Sequence, residues 1–137
     1  MADECICVRE DAIAVNMTCA NATGIAKGAV LKMTTPNTAA LADGDTDICA
    51  GICQSEKIAS NGVTSVSVWQ RGLFRGVAGV AGVTAGHAII TDASTSSTNR
   101  LVNADVNSEN IVGRAVTTAA SGATFEFELL PMMVNLA

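Results

Sequence analysis

The chain has 137 residues, a net charge of −5, 15% charged residues and 49% hydrophobic ones. That length suits one domain with a modest core, and the apolar content argues against a disordered chain. An acidic balance without a basic cluster argues against nucleic acid as a partner, because that affinity rests on neutralising phosphates. No stretch approaches the roughly 18 consecutive apolar residues of a membrane span.

The first residues, "MADECICVRED", carry four acids and one base, with no cationic segment leading into an apolar run. A signal peptide is therefore not expected, and synthesis is expected in the cytosol. Residues 1–12 read as an N-terminal arm and 13–137 as a single β-barrel domain. The arm holds the apolar run Cys5, Ile6, Cys7 and Val8, which costs free energy if left in water. Two readings stay open for it. It adds as a strand to the sheet edge of a neighbour, or it is the first strand of this chain's own barrel.

Five cysteines, Cys5, Cys7, Cys19, Cys49 and Cys53, are an odd number at spacings unlike those of zinc sites. Buried or half-buried thiols are the plainest reading, with a metal or a disulfide, including one between subunits, as the alternatives. No cofactor is expected.

Further along, "AIAVNMTC" and "GAVLKMTT" are short, apolar and rich in β-branched residues. "TPN", "DGD", "SNG" and "SG" supply turns. "TAALA" at Thr38 to Ala42 has local helix propensity but is too short to stand alone. "DGDTD" resembles the start of a calcium loop, with Asp43, Asp45 and Asp47 at its first, third and fifth positions. Ile48 then stands where glycine belongs and Gln54 where glutamate belongs, so an acidic turn is expected.

"VTSVSVWQ" and "TFEFELL" alternate apolar and polar residues with a period of two. Glu126 and Glu128 fall on the outer face of the second. Trp69, Arg71, Phe74 and Arg75 concentrate aromatic and guanidinium groups of the types enriched at interfaces. An interface and an ordinary core-and-rim role are both open for them.

In "GLFRGVAGVAGVTAGHAII" the glycines are three and four residues apart, with no G-x-G, no following Lys-Ser or Lys-Thr, and no helix former behind them. Neither a dinucleotide loop nor a phosphate loop fits. Glycines such as Gly76, Gly79 and Gly82 instead permit tight bends or close approach of another subunit. His87, the one histidine, has no acid or nucleophile at a motif spacing, so no histidine-based enzyme is expected.

A weak internal echo runs through the chain. Gly24 to Leu31 resembles Gly82 to Ile89, and each is followed by a turn region and then a strand carrying one glycine, "DICAGICQSE" and "NIVGRAVTTA". Short strands with frequent turns read as an all-β fold, a small β-barrel or sandwich.

The order of these parts resembles the small capsid cement, or decoration, proteins of tailed phages. The resemblance lies in "GIAKGAVLKMTTPNTAALADGDTDICAGICQSEKIASNGVTSVSVWQRGLF", "GVTAGHAIITDASTSSTNRL" and "IVGRAVTTAASGATFEFELL", roughly Thr18 to Pro131. It rests on β-turn grammar rather than on a catalytic motif. It implies a small β-barrel on the outside of the head, a homotrimer bound to the major capsid protein where its subunits meet, and assembly in the host cytoplasm. The residues marked as candidate capsid or subunit contacts come from the reading of the residues themselves: Cys5, Ile6, Cys7 and Val8 of the arm, Trp69, Arg71, Phe74 and Arg75 by their type, and Gly76, Gly79 and Gly82 by the close approach they permit. The five cysteines and the acidic arm depart from the family's pattern. A rival of another class is an adhesion or carbohydrate-binding β-module of a tail or fibre. That module needs exposed aromatic platforms, and a chain with no Tyr and one Trp has few.

Overall fold

A computed structural model describes residues 3–11, 13–44, 47–92, 99–104 and 110–133, with residues 132 and 133 described by backbone alone. Among them are eleven strands and no helix. They are β1 (Ile6–Glu10), β2 (Val15–Thr18), β3 (Val30–Thr35), β4 (Thr38–Leu41), β5 (Cys49–Cys53), β6 (Ser65–Trp69), β7 (Gly72–Ala78), β8 (Ala88–Thr91), β9 (Arg100–Asn103), β10 (Asn110–Ala115) and β11 (Thr124–Met133). The all-β expectation holds. The alanine-rich stretch at Thr38 is a strand, because Asn37 turns the chain with φ 57° and aligns β4 against β3. That pairing buries Ala39, which a lone helical turn would have left in water.

The strands close into two five-stranded barrels. The first runs β2-β4-β3-β5-β6. The second runs β7-β11-β10-β8-β9 and closes where Val77 and Ala78 pair with Arg100 and Leu101. The sequence suggested one barrel over 13–137; the physical reason for two is the internal repeat. Thr18 pairs with Ser65 as Val77 pairs with Thr124, 59 positions on. Leu31 pairs with Gly51 as Ile89 pairs with Gly113. Even the isolated bridge Ile25–Lys57 recurs as Val83–Ala119. Each half carries a complete set of strands whose pairings satisfy one another, so each closes on itself and leaves few edges.

Two apolar clusters result. Met17, Leu31, Val66 and Val68 fill the first barrel. The larger cluster fills the second barrel and crosses the seam, joining Val30, Ile52 and Trp69 of the first to Phe74, Leu101 and Phe127 of the second. All the aromatic residues lie in that second cluster. Trp69 meets Phe74 edge-on at 5.4 Å, Phe74 stacks on Phe127 at 6.0 Å, and Phe125 follows at 5.5 Å. Full burial of a phenylalanine contributes about 1.5–3 kcal/mol, so this line of rings anchors the seam.

The N-terminal segment lies against the same seam. β1 pairs antiparallel with β7 of its own chain, Ile6 opposite Arg75 and Cys7 opposite Phe74. Cys5 is buried in the shared core, its amide donating to the Gly28 carbonyl at 2.9 Å. Glu10 accepts a hydrogen bond from the Trp69 indole at 2.9 Å. Of the two readings of the arm, the described residues place β1 in this chain's own sheet.

Candidate interaction surface

Among the described residues no three histidine, cysteine or acidic side chains converge as a metal-ligating group. His87 is exposed in the turn before β8. At the acidic turn, the Lys32 ammonium meets Asp43 at 2.6 Å and Asp47 at 3.6 Å. Asp47 also accepts from the amides of Asp43 and Gly44 at 2.8 Å each. A lysine thus supplies the positive charge that a cation would bring, which raises the pKa of Lys32 and lowers that of Asp43. Asp45 lies outside the described residues.

The cysteines divide by burial. Desolvation pushes Cys5 and Cys49 from 9.0 up to about 12 and Cys53 to about 11. These groups stay as thiols at neutral pH, which makes them poor nucleophiles and poor metal ligands. Cys7 is half-buried on β1, packed against the shared core, and its pKa is raised by burial first and by Glu10 and Asp11 next.

The eleven marked residues fall into two groups. Cys5, Trp69, Phe74, Gly76, Gly79 and Gly82 are buried within the chain. A side chain at Gly79 would run into Asp92 and Val102, and one at Gly76 into the Phe127 ring. The space those glycines leave is filled by this chain's own atoms. Ile6, Val8, Arg71 and Arg75 are exposed, with Cys7 between the two groups.

Ile6 and Val8 of β1 and Arg75 of β7 belong to one outer face, spread over β1, β7, β11 and β10, and Arg71 lies in the bend just before β7. Leu73, Arg75 and Val77 alternate with the buried residues of β7, and Glu126, Glu128 and Leu130 do the same on β11. Arg75 stands opposite Glu126 and meets it at 3.5 Å; Arg114 stands opposite Glu128 and meets it at 3.2 Å. Exposed pairs of this kind contribute about 0–1 kcal/mol each, so they order the face more than they stabilise the fold. Ile6 and Val8 line one border, and near the other a shallow apolar groove is floored by Ile111, Gly113 and Leu130. The face offers paired charges between two apolar strips, a composition that suits a protein contact.

Sequence reasoning missed Asn99. Its amide nitrogen donates to the carbonyls of Gly28 and Asp3 at 2.7 and 3.1 Å, and its oxygen accepts from the Val30 amide at 2.8 Å. Beside it, Arg100 pairs with Asp3 at 3.0 Å. An asparagine at the end of a Ser/Thr-rich run reads as an ordinary turn residue, and nothing local points to partners some 70 positions away.

No family model matches this chain, and no curated protein matches it either. Among solved structures, the fold is similar to the crystal structure of the N base of the head fibre gp8.5 in bacteriophage phi29. The TM-score is 0.55 at 14% identity, and the match covers 85% of this chain and 92% of that one. At that identity the likeness establishes the fold.

Proposed function

We propose that this chain is a structural protein of a tailed-phage head, carried on the outside of the shell and bound to the major capsid protein. The observation that carries this reading is the fold it shares with a head-fibre base, matched over 92% of that base. The chain order that resembles the cement proteins points to the same place on the virion. The outer face of β1, β7, β11 and β10 is the surface we assign to the shell, with Ile6, Val8, Arg71 and Arg75 as its contacts. In this reading the protein holds neighbouring capsid subunits together, acts as a homotrimer on the lattice and catalyses nothing.

A second reading is favoured by what the structural neighbour is: the chain serves as the base of a head fibre, binding the shell and holding a further protein outward. The carbohydrate-binding module is disfavoured, because Trp69, Phe74, Phe125 and Phe127 are all buried and none forms a platform.

Heads purified without this protein separate the two favoured readings. Purified chain added back is expected to co-sediment saturably with them. Under the cement reading the heads then release their genome at a higher temperature; under the base reading that temperature stays put. Failure to co-sediment under any salt condition contradicts both.

A further inference from the structure

The repeat leaves one barrel edge covered and its counterpart open. In the second barrel, residues 72–75 of β7 are covered by β1. The pairings Val15–Val68 and Phe74–Phe127 are equivalent, so the matching stretch of the first barrel is residues 13–16. Among the described residues no strand lies on that side of it, and β4 begins to pair only at Thr18. The consequence shows in burial. Phe74, beneath β1, is 0% exposed, while its counterpart Val15 is 38% exposed and Ile13 is 88% exposed. A second open edge lies on β1, which ends its sheet and pairs on one side only among the described residues. β1 carries Ile6 and Val8, 50% and 46% exposed. Open apolar edges recruit strands.

We propose that the open edge of β1 in one copy pairs with residues 13–16 at the β2 edge of a second copy. The occupant is another molecule of this chain because the chain itself presents both halves of the contact, a β7-like edge lacking its strand and the strand type that fits such an edge. The pairing is antiparallel, as β1 is to β7, and it continues the β7–β1 sheet into the neighbour. Side chains then alternate in step. Cys7, which lies over Phe74 in its own chain, also lies beside Val15 of the second copy, and Ile6 and Val8 face Ala14 of that copy. The two edges are different surfaces, so the contact generates a closed ring, of two copies that exchange it reciprocally or of more, or an open filament. It is a contact between copies and stands independently of any capsid.

Two measurements on the full chain test this. Sedimentation equilibrium across the micromolar range is expected to show self-association that Ile13→Lys and Val8→Lys each abolish, with the melting temperature unchanged. Oxidation of Val15→Cys with copper phenanthroline is expected to join that thiol to Cys7 of a neighbour. Non-reducing gels then show species beyond the dimer or one closed oligomer, and Cys7→Ser removes them. A protein that stays monomeric throughout, association that survives both lysines, or failure of Val15→Cys to link two copies through Cys7 overturns the proposal.

Discussion

Asn99 of the second barrel is bound to Gly28 of the first, its amide nitrogen donating to the Gly28 carbonyl at 2.7 Å. The same side chain accepts from the Val30 amide, so one residue satisfies two backbone groups of the other barrel. Gly28 in turn accepts from the Cys5 amide, which brings the N-terminal strand into the same junction. Asn99→Ala strips partners from buried backbone groups, which costs about 1–3 kcal/mol. Urea unfolding is expected to show that loss at an unchanged slope. Asn99→Asp keeps the acceptor for Val30 and loses the donors, so it is expected to fall at least as far.

Gly51 and Gly113 hold equivalent places in the two barrels, opposite Leu31 and Ile89. A Cβ at Gly51 would strike the Trp69 carbonyl, and one at Gly113 the Glu128 carbonyl. Both obstacles are backbone and cannot swing aside. Gly51 also has φ 135°, a conformation that costs a substituted residue about 1–3 kcal/mol by itself. Gly51→Ala and Gly113→Ala are each expected to destabilise the fold by more than that strain alone. Soluble, cooperatively unfolding protein with wild-type urea midpoints would contradict the close strand approach at these points.

The buried thiols make the protein sensitive to alkali. Cys5 and Cys49 ordinarily ionise at 9.0, and burial raises each to about 12 in the folded chain. The unfolded chain loses those protons first, so it binds fewer protons than the folded one between the two values. Stability is therefore intact below 9 and falls as pH rises toward about 12. Melting temperature against pH is expected to decline through that window, and Cys49→Ala is expected to make the decline shallower. Equal slopes in the two proteins would show that Cys49 is not shielded from water.

Trp69 and Glu10 join β6 to β1 through one hydrogen bond of 2.9 Å. Glu10→Ala leaves the half-buried indole N–H without its acceptor, at about 1 kcal/mol or more. Trp69 is the chain's one tryptophan, so its fluorescence reports on this site alone. A shifted emission maximum is expected in Glu10→Ala, and Glu10→Gln is expected to restore most of it. An unchanged spectrum in both variants would place the arm away from the seam.

Much of this architecture was legible in the sequence. Val66, Val68, Phe125, Phe127 and Leu129 alternate with polar neighbours, and all five are buried. A turn stands at Ser60 to Gly62, as its "SNG" signal implies, with its positive φ angles at Ser60 and Gly62. The echo between Gly24–Leu31 and Gly82–Ile89 marks two copies of one unit, and the glycine seen in each following strand is Gly51 or Gly113. The closure of each copy into its own barrel was not legible, because it depends on which distant strands pair. The site shows the same division. Ile6, Val8, Arg71 and Arg75 are exposed, whereas Gly76 and Gly79 carry the same kind of signal yet are filled around by Phe127 and Asp92. Local glycine spacing reports close approach but not whose atoms approach. Asn99 and Glu10 act across the seam, and no short-range pattern encodes that.

The proposed placement of this protein on a phage head is tested most directly by a cryo-electron microscopy reconstruction of virions whose genome encodes it, compared with virions from which its gene is deleted. The expected difference map shows two-barrel density at symmetric positions on the outer shell, with the β1, β7, β11 and β10 face turned toward the major capsid protein. Identical shells in the two reconstructions, or density confined to the tail, would contradict the account.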